Sequence, residues 1–125
     1  MDILLISDDD DFSEGFITSI ALAGRSISRV RSAEAAIPMV AGVNQLVVIA
    51  DDPLPGISGI DLLTQIRSSL HPISRFILIS SVSDGRVVLD YIRRGLREFV
   101  IRGDRSAAEV NAILDGKEDE LLFPD

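Results

Sequence analysis

Five short apolar runs, each followed by a stretch with helical spacing, constrain this chain more than any other feature. The runs are Ile3–Ile6, Ile27–Val30, Leu46–Ala50, Phe76–Ile79 and Phe99–Ile101. Runs of this length, rich in Ile, Leu, Val and Phe and bounded by polar or turn residues, read as strands. Phe12, Phe16, Ile20 and Ala23 then recur at helical spacing, with Asp10 or Asp11 as cap and Gly24 as the stop. A second helix starts after Ser32 and runs to about Val40, kinked or shortened by Pro38. A third begins at Ser58, with Asp61 three residues on in a capping-box-like pattern. Its apolar face is Ile60, Leu63, Ile66 and Leu70, and His71-Pro72 stops it. A fourth is capped by Ser83 or Asp84, carries Val87, Val88, Tyr91 and Ile92, and closes at Gly95. The fifth runs from Asp104 to about Leu114, with Val110, Ile113 and Leu114 inward. Strand and helix alternating five times predict a doubly wound α/β fold: a five-stranded parallel sheet covered by helices on both faces. The near-continuous apolar character of the strands agrees with burial on both sides.

The bulk properties narrow the function. The 125 residues make one ordinary domain, 46% hydrophobic and 26% charged, enough to fill a core. A net charge of -8 with no basic run argues against nucleic-acid contact by this piece. Without cysteine there is no disulfide, thiolate zinc site or cysteine nucleophile. No apolar run approaches the roughly 18 residues of a membrane span, so a cytoplasmic domain is expected. Residues 1–115 are read as the domain, and 116–125, GKEDELLFPD, as a tail or the start of a linker.

Polar residues collect where the strands end: Ser7-Asp8-Asp9, Asp51, Ser80 and Arg102. In a parallel sheet these ends share one edge, and ligands bind there where the strand order reverses. With the order 2-1-3-4-5, strands 1 and 3 are neighbours, and Asp8, Asp9 and Asp51 converge. Three carboxylates that close repel one another, and a hard divalent cation such as Mg²⁺ resolves the repulsion.

These residues carry a resemblance. The acidic pair Asp8-Asp9, then Asp51 with Pro55 four on and Gly59 eight on, the hydroxyl Ser80 followed by Ser81, and the aromatic Phe99 fall in the order seen in receiver domains of two-component response regulators. The chain resembles that family over nearly its whole length. The resemblance implies the flavodoxin/CheY-like three-layer sandwich. It also implies a signal receiver, a phosphoacceptor rather than an enzyme, taking a phosphoryl group onto Asp51 from a histidine kinase or phosphotransfer protein. Mg²⁺ would be held by Asp8, Asp9, Asp51 and the backbone carbonyl of Pro53. Ser80 and Phe99 would be the switch, repacking the face made by the fourth helix, fifth strand and fifth helix, through which a homodimer could form. PGISGIDLL and AILDGKEDELLFP are similar to receivers that precede a LuxR/NarL-type DNA-binding domain, so the chain reads as a fragment of a transcription factor or as a stand-alone receiver.

Two departures matter. The family's usual lysine falls on Arg102, and the usual following proline is Gly103. Arg102 keeps the charge in a wider planar fork, which can pair with a phosphoryl oxygen or with Asp51 itself. The second outcome leaves a pseudo-receiver, a phosphorylation-independent interaction or dimerisation module. Neither Pro53 nor Val82 can orient an attacking water, which predicts slow self-dephosphorylation. Competing readings are weaker. Four acids after the first strand would repel the phosphate of a flavodoxin-like cofactor, and a lone His71 before Pro72 supplies no hydrolase pairing. Asp10 and Asp11 read as solvated caps, Asp52 as a solvent-facing loop acid, and Tyr91 as packing with a wet hydroxyl.

Overall fold

The computed structural model describes residues 2–40, 46–68 and 74–116. Five strands and five helices alternate: β1 (Asp2–Ile6), α1 (Asp10–Leu22), β2 (Ile27–Val30), α2 (Ala33–Val40), β3 (Leu46–Asp51), α3 (Gly59–Ile66), β4 (Arg75–Ser80), α4 (Gly85–Arg93), β5 (Glu98–Ile101) and α5 (Ser106–Leu114). The strands are all parallel, in the order β2-β1-β3-β4-β5. The doubly wound α/β fold expected from the alternation is the fold observed. Leu70 and His71-Pro72 lie outside the described residues, as do 117–125 of the expected tail.

Strand parity divides the core in two. Ile3 and Leu5 of β1, Val47 and Ile49 of β3, Ile77 and Ile79 of β4, and Val100 of β5 pack with Phe16 and Ile20 of α1 and Val110 and Ile113 of α5. Their strand neighbours Leu4, Ile6, Val48, Ala50, Phe76 and Leu78 pack with α2 and α3. Both faces are therefore apolar, and all six residues of β3 are buried. A strand with no solvent-facing side is what a central parallel position demands.

The helix ends follow capping chemistry, with some reassignment. Asp9, not Asp10 or Asp11, is the N-cap of α1, accepting the Phe12 N–H at 3.0 Å. Asp10 instead pairs with Arg29 at 2.9 Å and Arg31 at 2.7 Å. Ser58 caps α3 by accepting from the Asp61 N–H at 3.2 Å. Asp61 turns to Arg94, the C-cap of α4, rather than reaching back to the backbone N–H of Ser58 in a reciprocal box. Asp84 caps α4. Pro38 sits inside α2, which is only eight residues long. The Glu34 side chain, four residues earlier, accepts the Ile57 N–H at 3.0 Å and ties α2 to the loop after β3. α5 starts two residues later than expected, with Asp104 outside it. Among its apolar residues α4 buries none completely: Val87, Val88 and Tyr91 are half-buried and Ile92 is exposed.

Candidate functional site

The same parity that builds the core builds the site. Ser7 continues the series Ile3, Leu5. Asp51 continues Val47, Ile49, and Arg102 continues Val100. All three therefore emerge at the C-terminal edge on the side of α1 and α5. β1 and β3 are adjacent there, on the line where the order of strands reverses.

Asp51 is only 3% exposed, and a carboxylate that deep must be met by donors. Ser7 Oγ donates to its Oδ2 at 2.7 Å. Arg102 Nε donates to its Oδ1 at 2.8 Å, with Nη2 a longer 3.5 Å from Oδ2. The same Nη2 donates to Asp9 Oδ2 at 2.6 Å. Asp9 Oδ1 is taken by the cap bond from Phe12. One guanidinium thus joins two carboxylates from different strand ends. Its carbon lies 4.4 Å from the centre of the Phe12 ring, a cation–π stack. Phe12 stacks in turn on Phe16, with ring centres 5.5 Å apart. A groove of about 300 Å³ opens beside this stack, between α1 and the loop that leads into α5.

The electrostatics follow the contacts. The Asp9 carboxyl is held below its ordinary value, first by the Phe12 N–H and then by Arg102. Arg102 is pushed above the usual guanidinium value, chiefly by its bond to Asp51. Burial raises Asp52, only partly offset by the Gly59 N–H it accepts at 2.8 Å. Asp52 is therefore not the solvent-facing loop acid expected: it is half-buried and pins the start of α3. Gly59 is needed at that contact. A Cβ there would lie 2.6 Å from Leu78 Cδ1 and 2.9 Å from Asp52 Oδ1.

The residues singled out in the sequence are only partly brought together. Asp9, Asp51 and Arg102 meet. Asp8 does not join them; it is exposed, 4.0 Å from Arg31. Pro53 is exposed on the loop beyond Asp52. Ser80 is 7% exposed, and its Oγ accepts the Val82 N–H at 3.1 Å. It continues the parity of Phe76 and Leu78, and Phe99 packs against that same cluster, so the pair sits on the opposite face from Arg102. The Arg102 N–H donates to Ser80 O at 3.0 Å, which fixes Arg102 beside the end of β4. Two participants are not evident from residue type alone. Ser7 reads as a strand end and Phe12 as a helix-face residue; continuing the alternation of β1 one step past Ile6 identifies the first.

The expected convergence of three carboxylates on Mg²⁺ does not fit this arrangement. Among the described residues no group of three or more acidic, histidine or cysteine side chains is placed to hold a metal ion. Every carboxylate oxygen of Asp9 and Asp51 already accepts a protein donor. The positive charge between them belongs to Arg102.

A sheet of this order, with a buried acid at its reversal point, defines a doubly wound α/β domain of the flavodoxin/CheY-like kind, and comparison with known proteins places it in a family. Residues 3–108 match the response regulator receiver domain, and the chain belongs to that family. Response regulator protein FleR of Pseudomonas aeruginosa is 29% identical over 113 residues, covering 90% of this chain and 23% of FleR. The chain spans about a quarter of the length of the curated relatives it matches. The fold is shared with chemotaxis protein CheY4 of Vibrio cholerae, at a TM-score of 0.77 and 12% identity, covering 91% of this chain and 96% of that one. It is shared equally with a LuxR-family DNA-binding response regulator from Staphylococcus aureus, at 0.77 and 19%, covering 94% and 98%. No described helix is long and apolar enough to cross a membrane.

Proposed function

We propose that this receiver accepts a phosphoryl group on Asp51 from a phosphohistidine, carried by a histidine kinase or phosphotransfer protein. The observation that carries this reading is a nearly buried carboxylate at the sheet's reversal point, held by one hydroxyl and one guanidinium. A carboxylate oxygen of Asp51 attacks phosphorus, the P–N bond breaks, and the imidazole leaves with the electron pair. Asp51 becomes an acyl phosphate, adding roughly one to two negative charges. Arg102 is already in place to meet that charge, and its fork suits a phosphoryl group. Ser80 would then give up the Val82 N–H and donate to the phosphoryl group, with Phe99 repacking on the same face. The face of α4, β5 and α5 offers exposed Leu89, Ile92 and Ile101 to a partner or a second copy.

Incubation with acetyl phosphate, with and without Mg²⁺, followed by intact-mass measurement tests this. The native chain gains one phosphoryl group and Asp51→Asn gains none. No gain by the native chain at Asp51, where an ordinary receiver is labelled in parallel, overturns it. Pro53 and Val82 supply no group to activate water, so the modified protein loses phosphate slowly, and Val82→Glu loses it faster.

One observation favours a second reading. The fork from Arg102 already satisfies Asp51 and Asp9, as it would in a pseudo-receiver used only as an interaction module. Size-exclusion chromatography separates the two. A module associates equally before and after phosphodonor treatment, whereas a switch does not.

A further inference from the structure

The acid pair and its arginine carry an inference about cations that does not depend on phosphorylation. Asp51 and Asp9 are bridged by a group that carries the positive charge itself. That group is clamped from a third side by the Phe12 ring. Phe12 acts twice: its backbone N–H binds Asp9 and its ring carries the guanidinium. A hard divalent cation on these oxygens would share them with N–H and O–H donors and lie against the positive charge of the guanidinium already between them. We propose that Arg102, held on Phe12, is the resident cation of this site, and that Mg²⁺ reaches Asp9 and Asp51 only by displacing it. Phe12 is then a positioning residue, because it sets how firmly Arg102 stays. Displacement and metal binding are linked, since a ligand that binds only the displaced state has its affinity lowered by the scarcity of that state.

Calorimetric titration with MgCl₂ alone tests the proposal. Arg102→Ala binds Mg²⁺ tighter than the native chain by about tenfold or more, and Phe12→Leu falls between them. Arg102→Ala leaves Asp51 buried without its counter-charge, so its fold is checked by circular dichroism. Arg102→Lys, which keeps a charge but cannot fork across two carboxylates, serves as the milder variant and also binds Mg²⁺ tighter than the native chain. Nuclear magnetic resonance gives a second readout: saturating Mg²⁺ moves the Arg102 Nε–H signal in the native chain. Native affinity equal to that of both arginine variants overturns the proposal. So does a folded Arg102→Ala chain that binds no Mg²⁺, or Mg²⁺ binding at Asp51 that leaves the Nε–H signal in place. None of these measurements uses a phosphodonor, so failure here and failure of the phosphoacceptor reading are told apart.

Discussion

At the scale of single residues, neighbouring acids in this chain meet different partners. Asp51 ends β3 with hydroxyl and guanidinium partners, while Asp52, next in sequence, is raised by burial and has one backbone donor. A carboxyl raised in the folded state disfavours its own ionisation. The cost is absent below the unfolded value of 3.8, grows as pH rises through the raised folded value, and persists above it. Asp52→Asn keeps an acceptor for the Gly59 N–H and removes the charge. It should raise the melting temperature at pH 7, and the gain should vanish as pH falls below 3.8. A gain of equal size at acid and neutral pH would refute this origin. Residue identity alone could not separate the two acids. Their difference comes from strand parity, which sends successive side chains to opposite faces.

At the scale of elements, the strands were legible because burial on both sides leaves uninterrupted apolar runs, as in Leu46–Ala50. The cap was legible where one candidate stood alone, as at Ser58, whereas Ser83 and Asp84 stayed alternatives for α4 until the structure placed Asp84 on the Arg86 N–H. Where acids were consecutive the choice was not local: Asp10 is drawn to Arg29 of β2 and to Arg31 just beyond it, leaving Asp9 as the cap. α4 packs shallowly: Val87, Val88 and Tyr91 are half-buried and no residue of it is buried. An element with little buried surface opens more readily than the sheet. Amides of α4 should exchange with solvent deuterium faster than those of β1 and β3, and equal protection would contradict the shallow packing. Ser58→Ala should cost α3 about 1 kcal/mol in denaturant unfolding.

At the scale of the whole molecule, arginines tie acids across element boundaries: Arg29 and Arg31 to Asp10, Arg94 to Asp61, Arg102 to Asp9 and Asp51. Asp9, Asp10 and Asp61 are held below 3.8, Asp9 first by its cap bond and the other two first by their arginines. For a carboxyl lowered in the folded state the contribution is full above the unfolded value and is lost as pH falls through the folded one. Unfolding followed against pH should therefore lose stability below 3.8, with a shallower fall in Asp10→Asn. Each exposed pair contributes little alone, so the slope should fall only in part.

The sequence by itself determined the order of elements, the parallel sheet and the edge on which Asp51, Ser80 and Arg102 gather, because periodicity and strand ends are local properties of the chain. It left open which partner Arg102 would choose. That choice needed the ends of β1, β3 and β5 and the start of α1 on one edge, since the fork reaches Asp51, Asp9 and the Phe12 ring, all far from Arg102 along the chain. Packing fixed the distances, and at such distances one planar guanidinium can hydrogen-bond to both carboxylates at once.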